Sequence, residues 1–433
     1  CEFTSGYSNE PVYGMIFSEE GIMKKVLIWD DFPMSNIGGP MGYCYNIHEY
    51  LKDHPTKQIT FLSDLLPERE RGTWGNPPMP KSARKLQLHN ILRRLHLYSI
   101  YGKVGDVKNT LKTYLFEHYR TGCKIIPATL NLNEYDIIHF HWTKHLAIFK
   151  RAHPEYKGKT MLTSHSPCPI SVEVFSEENW ARIFWPIEFS RECHTYDKAD
   201  YIMFPCEGAR EPYEKYGKMK RTFANNNHKF HYNPSAILDL KVDSGKIQKL
   251  SELSIPADAF VITYFGRHIS VKGYDILKRV GHRLLDKYPH LYFLCAGKGE
   301  IQPLNHPRWI ELGFIHNANE LMSQSSLYIL PNRETYFDLV TLEILRAGIP
   351  VILSNTGGNK YFHHFLSEEL MGMDFFDIND IDDLIVKVEN VIKQKSVEPA
   401  KYMEKKVANR NLFINNFTID KFVERYINLI NSL

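Results

Sequence analysis

Several things are missing from this sequence. No two of its seven cysteines form a C-x-x-C pair. Cys1, Cys44, Cys123, Cys168, Cys193, Cys206 and Cys295 are scattered without zinc-ligand spacing, so they read as reduced, mostly buried thiols of a cytosolic protein. An excess of one charge is missing too: 53 Lys and Arg against 50 Asp and Glu leave a formal +3. A dedicated nucleic-acid binder carries a dense basic face, so no nucleic-acid partner is expected; an anionic small ligand held by a few local cations fits. No apolar run approaches the ~20 residues of a membrane span; VLIW and FVITYF are strand-sized. Short repeats and low-complexity tracts are also absent. The dinucleotide fingerprint is incomplete, because Gly297 and Gly299 in CAGKGE lack the third glycine.

What is present is a large core and a repeating pattern. The 433 residues are 43% apolar and 13% aromatic, enough for two or three domains and two large interiors. Ten short apolar runs alternate with helical stretches: KKVLIW, QITFL, DIIHFHW, TMLTSH, YIMFP, FVITYFG, LYFLCAG, WIELGF, LYILP and PVILS. Such alternation predicts βα units and parallel sheets. The polar stretch from Ser235 to Ala259 reads as the linker between two doubly wound domains. Residues 1–22 precede Met23, which looks like an initiator, and lack the cationic start of a secretory signal, so they read as an added leader. The last stretch, IDKFVERYINLINSL, spaces Phe422, Tyr426, Ile427 and Ile430 along one helix face.

Chemistry-bearing residues gather at predicted strand ends. After LYILP, Glu334 sits in a loop, Asp338 is placed to cap a helix, Glu343 lies a turn and a half into it and Gly348 stops it. The start of that helix faces the carboxyl end of the sheet, where its N–H groups favour a phosphate. Carboxylates there can take vicinal sugar hydroxyls; the plainer reading is that Glu343 complements the helix dipole and Glu334 is solvated. FVITYF is followed by Gly266, Arg267 and Lys272, the two cations being a fork and a point charge suited to a diphosphate, although such cations are also ordinary surface charges. Gly297, Gly313 and Phe314 follow the next two strands. In the first half, Gly38, Gly39 and Gly42 open a helix after VLIW, either for close backbone approach to a ligand or as a bland turn. DIIHFHWTKH carries His139, His141 and His145, with His139 and His141 on one side by strand alternation, and His165 ends the next strand. No carboxylate stands at ligand spacing from these histidines, and no metal site is expected.

The ordered set of GGPMG, DIIHFHW, ADYIMFPCEGAREPYEKYG, FGRHISVKG, CAGKG, LGFI and RETYFDLVTLEILRAGIPVILSNTGG resembles the retaining, nucleotide-sugar-dependent glycosyltransferases of family four, from about Met23 to Leu433. The resemblance implies an α/β GT-B fold with two doubly wound Rossmann-like domains facing a cleft. Residues 23–235 would form the acceptor-side domain, 236–415 the nucleotide-sugar domain, and 416–433 a helix crossing back to the first. It implies that Arg267 and Lys272 hold the donor diphosphate, that Gly39 approaches the phosphates or the acceptor, and that His141 reaches the donor sugar. It puts Gly313 and Phe314 at the base and Glu343 on the ribose. Gly266, Gly297, Leu339 and Val340 belong to the same donor-binding set, and Glu334 would contact the sugar near the reacting carbon. Eight residues, Thr335 to Leu342, separate the two glutamates, one more than is usual in the family, and Asp338 occupies a position where the family has glycine. Strict register places Thr335 in the sugar-contacting role. The implied activity is transfer from a nucleotide sugar, with uridine diphosphate the commonest carrier, to a glycan, lipid-linked saccharide or protein, with no cofactor and no metal.

Rival readings are a sugar-nucleotide epimerase, a glycan phosphorylase, and a degenerate transferase serving as a partner subunit. A basic and apolar insertion, Lys81–Lys103, reads either as a core-packed helix with a solvated rim or as a surface resting on anionic lipid. The second reading would put a cytoplasmic protein at the inner face of the cell membrane.

Overall fold

The structure, a computed structural model, describes residues 23–32, 34–35, 39–66, 130–175, 185–240, 250–315, 318–365 and 372–433. The insertion at Lys81–Lys103, residues 1–22 and Gly38 lie outside these. All ten predicted strands form. They are β1 (Val26–Trp29), β2 (Ile59–Phe61), β3 (Ile137–Phe140), β4 (Lys159–Leu162) and β5 (Tyr201–Phe204), then β7 (Phe260–Phe265), β8 (Leu291–Ala296), β9 (Trp309–Glu311), β10 (Leu327–Leu330) and β11 (Val351–Ser354). Two more escape the sequence pattern: β6 (Phe230–Tyr232) and β12 (Met373–Phe376). Both are short edge strands with polar positions, so neither shows the continuous apolar run of a buried strand.

The strands make two six-stranded sheets, ordered β2-β1-β3-β4-β5-β6 and β12-β11-β10-β7-β8-β9, with every pair parallel. Central strands are buried along their whole length because helices cover both faces, which is why they read as unbroken Val, Ile, Leu and Phe rather than as alternation.

The two halves share one interior. Side chains of the first sheet and of the loop and helix after β10 belong to a single buried cluster, with Phe204 and Tyr336 ring centroids 5.2 Å apart. Beside them the segment after β5 touches the segment after β11. A Cβ on Gly208 would stand 2.2 Å from the Gly357 carbonyl oxygen, so only glycine fits at that crossing.

The closing helix, Ile419–Ser432, buries Ile419, Phe422, Val423, Tyr426 and Ile430 against Val26, Ile28, Tyr43, Ile47 and Met161 of the first domain. Burial of five such side chains favours this docking by on the order of 10 kcal/mol before chain-ordering entropy is set against it. Among the described residues no helix is long and apolar enough to cross a membrane. The five described cysteines are unpaired, with Cys44, Cys193, Cys206 and Cys295 buried and Cys168 half-buried.

Candidate functional site

In the second sheet the chain lays β7, β8 and β9 outward, then returns to build β10, β11 and β12 on the other side of β7. Neighbouring strands β7 and β10 therefore send their following segments in opposite directions, and a crevice opens at their carboxyl ends. Arg267 and Lys272 leave β7, and Glu334, Thr335 and Asp338 leave β10. The two loops are stitched together. Gly273 has φ +67°, and a Cβ there would lie 1.8 Å from the Pro331 carbonyl oxygen. The Arg333 N–H donates to the Val271 carbonyl at 2.8 Å, and its guanidinium clasps both Asp275 oxygens at 2.7 Å. The Arg333 hydrogen bonds hold the Asp275 carboxyl below its usual range.

This stitching brings Lys272 Nζ to 2.8 Å from Asp338 Oδ1. Thr335 Oγ1 donates to Asp338 Oδ2 at 2.8 Å, and Asn332 Nδ2 donates to the same oxygen. The capping expectation for Asp338 needs correction. It occupies the N-cap position of the Leu339–Arg346 helix, but its side chain caps nothing. Its two oxygens are instead taken by Lys272, Thr335 and Asn332. The first turn, Leu339 and Val340, thus has no side-chain cap. Gly348, at φ +65°, lies just past the helix end as read from the sequence.

Arg267 is exposed at the crevice mouth. Glu343 sits in the second helical turn, and burial raises its carboxyl above the ordinary value, an effect Arg346 partly offsets. Glu334 reaches the first domain, where Lys215 Nζ meets its Oε1 at 2.5 Å. Thr335 is fully buried, with its hydroxyl committed to Asp338. Of these two, only Glu334 presents a side chain outside the interior.

Backbone forms the rest of the edge. Gly266 N–H donates to the Ala296 carbonyl at 2.9 Å, and Gly297 N–H to the Gly313 carbonyl at 2.8 Å. A Cβ on Gly297 would stand 1.9 Å from the Gly266 oxygen. The ends of β7, β8 and β9 therefore press together as bare main chain. Gly313 turns at φ +66° and leaves Phe314 65% exposed, an aromatic face in reach of solvent.

The first sheet has its own crevice where β1 and β3 part. His141 lies there, 2% exposed, its Nδ1 2.9 Å from His165 Nε2 and its Nε2 without a hydrogen-bond partner among the described residues. His139 is on the same side, 4.3 Å away between ring centroids, bonded to Tyr426 Oη at 2.8 Å and Thr163 Oγ1 at 2.7 Å. Burial drives all three imidazoles toward the neutral form: His139 and His165 to about 3, His141 well below its ordinary value. His145 is lowered to about 4, also by burial. Gly39 begins its helix at φ +71°, and among the described residues nothing lies within 4 Å of where a Cβ would be.

Sequence reasoning missed four residues here. Asp30, 2% exposed, accepts the Ser63 N–H at 2.9 Å and keeps an unpartnered Oδ2, and burial raises its carboxyl. A charge directly at the end of an apolar strand was the available signal. The Tyr43 ring packs at a tilt against His141 and His165, Asn332 braces Asp338, and Lys215 bridges the halves; those roles depend on partners distant in sequence. Among the described residues no three His, Cys, Asp or Glu side chains are grouped as metal ligands.

Two facing α/β domains with crevices at their switch points define a GT-B architecture. A family model described as Glycosyl transferases group 1 matches residues 259–394, which contain the whole second sheet. The O-antigen biosynthesis glycosyltransferase WclY of Escherichia coli is 26% identical over 192 residues, covering 42% of this chain and 49% of that protein. The Escherichia coli UDP-Gal:alpha-D-GlcNAc-diphosphoundecaprenol alpha-1,3-galactosyltransferase is 25% identical over 194 residues, 41% of this chain and 48% of its own. The matched region thus spans about half the length of these relatives. Anabaena HepE, solved in complex with UDP-glucose, superposes with TM-score 0.55 at 15% identity over 94% of this chain and 100% of its own.

Proposed function

We propose that this chain is a retaining glycosyltransferase that moves a sugar from a UDP-linked donor to a lipid-linked glycan, without a metal, at the inner face of the membrane. The observation that carries the reading is the β7/β10 crevice in the region matched by the group 1 glycosyltransferase model, where Arg267 and Lys272 follow β7 and an uncapped helix bearing Glu343 follows β10. A nucleotide sugar has the two chemistries this crevice answers, a diphosphate and vicinal hydroxyls. The UDP-glucose bound to HepE and the diphosphoundecaprenol acceptor named for the Escherichia coli enzyme support the choice of donor and acceptor.

In this mechanism the bond from the anomeric carbon to the phosphate oxygen breaks. Arg267, Lys272 and the first-turn N–H groups take up charge growing on the leaving diphosphate. His141 Nε2 meets a sugar hydroxyl from the other domain. The acceptor oxygen bonds to the same face of the anomeric carbon, and its proton passes to the leaving phosphate oxygen. Glu343 holds the ribose and Glu334 the sugar.

The test is incubation with a panel of nucleotide sugars, with and without lipid-linked saccharide, reading nucleotide release and the anomeric configuration of the product. Acceptor-dependent UDP release with retained configuration, unaffected by chelator, supports the proposal. Release without acceptor and an epimerised free sugar would favour an epimerase. Strict dependence on magnesium or manganese would overturn the metal-free mechanism.

A further inference from the structure

A carboxylate stands where an anion is expected to bind. Asp338 Oδ1 holds Lys272 Nζ at 2.8 Å, while its Oδ2 accepts from Thr335 Oγ1 at 2.8 Å and from Asn332 Nδ2. Thr335 and Asn332 are fully buried, so the carboxylate is braced from the protein interior. Swinging it away would strand two buried donors, which is costly. Lys272, on a flexible stem with three donor hydrogens, can serve a second anion while still touching the first. Among the described residues Asn332 Oδ1, on the side chain that braces Asp338, is fully buried and has no hydrogen-bond partner.

Any phosphate that reaches Lys272 must therefore lie within about two hydrogen-bond lengths of a fixed negative charge. Repulsion from that charge grows with the charge of the ligand. In a nucleotide sugar the terminal phosphate is esterified. Transfer of the sugar frees it, and a phosphate monoester ionises a second time near pH 6. The product consequently carries one charge more than the donor at neutral pH.

We propose that Asp338 is a specificity-determining residue that makes the site prefer the sugar-linked diphosphate over the free nucleoside diphosphate, and so hastens product release. The proposal rests on the donor-site reading above and adds to it the reason for a carboxylate beside the phosphate cation.

The experiment is titration calorimetry of the full chain with UDP and with UDP-glucose, for the natural protein, Asp338→Asn and Asp338→Gly. Asparagine keeps an oxygen for Thr335, and glycine removes the side chain, so the two variants separate charge from bracing. At pH 7.5 both should bind UDP about tenfold more tightly relative to UDP-glucose than the natural protein does. At pH 5.5, where the freed phosphate regains its proton, the shift should shrink. An unchanged ratio of the two affinities, or equal weakening of both ligands, overturns the proposal and makes Asp338 a mere brace for Lys272. A natural protein that binds neither UDP nor UDP-glucose overturns the donor-site reading, and this inference with it.

Discussion

The two crevices of this molecule are built from opposite materials. At the β7/β10 edge the functional groups are ionic: Arg267 exposed, Lys272 paired with Asp338, Glu334 paired with Lys215. At the β1/β3 edge the groups are imidazoles kept neutral by burial and bonded to each other and to hydroxyls, beside the Asp30 carboxyl, which burial also pushes toward its neutral form. One fold, used twice, thus presents one edge suited to an anion and one suited to neutral hydroxyls. The difference lies in side chains at strand ends and not in the sheets, since both sheets have the same strand count and the same kind of switch point.

The strongest way to break this comparison is to remove charge from the second edge. Arg267→Ala and Lys272→Ala should each slow transfer by about a hundredfold or more, about 3 kcal/mol, because in the proposed mechanism both groups act on charge that develops at the leaving diphosphate. Steady-state kinetics check it; near-normal turnover in the double variant would mean the anion sits elsewhere.

Acid should damage the first edge preferentially. His139 and His165, lowered to about 3, and His145, lowered to about 4, are neutral in the folded chain at pH values where the unfolded chain protonates them near 6.5. Between those values the unfolded state binds more protons, so stability is intact above pH 6.5 and falls as pH drops toward 4. The slope approaches about 1.4 kcal/mol per pH unit for each such histidine. Denaturant unfolding across pH 4 to 7 reads this directly. Replacing His139 with glutamine should flatten the slope; an unchanged slope would place the acid sensitivity in other groups.

A smaller effect sharpens the ionic side. Glu343→Gln should weaken donor binding by about 1 to 2 kcal/mol, since a neutral amide is a poorer acceptor for ribose hydroxyls than a carboxylate. The same change should not lower thermal stability at neutral pH, because burial already disfavours the charged form of Glu343. A loss of stability equal to the loss of binding would return Glu343 to a purely structural role. Glu334→Ala and Thr335→Ala belong beside it. Thr335→Ala strips a hydrogen bond from Asp338 inside the protein, whereas Glu334→Ala removes a half-exposed ion pair and, in the proposed mechanism, the contact to the sugar.

Much of this was legible in the sequence, for a physical reason. Buried parallel strands must be apolar on both faces, so the central runs announce themselves, and glycines and charges at strand ends mark the crevice. Edge strands Phe230–Tyr232 and Met373–Phe376 were not legible because an edge position tolerates polar residues. Neither was the fate of Asp338. Local sequence makes it a helix cap, and only the approach of Gly273 to Pro331, more than fifty residues apart, delivers the lysine that claims it. Lys215 and Asn332 escaped for the same cause, since each acts on a partner chosen by the tertiary fold.

The smallest expected effect concerns the contact between the two regions. Lys215 and Glu334 form an ion pair across the halves at 2.5 Å, with side chains 52% and 28% exposed. Water screens such a pair, and holding two long side chains in one geometry opposes it, so Lys215→Ala should destabilise the chain by less than about 1 kcal/mol, and by less still in high salt. The halves are held instead by the shared interior around Phe204 and Tyr336 and by the backbone crossing at Gly208 and Gly357. If Lys215→Ala nevertheless lowered the unfolding midpoint by many degrees, the ion pair and not the apolar interior would be what keeps the two crevices together. If it left stability unchanged but altered turnover, Lys215 would be positioning Glu334 for the sugar, and the charged edge would extend into the first domain.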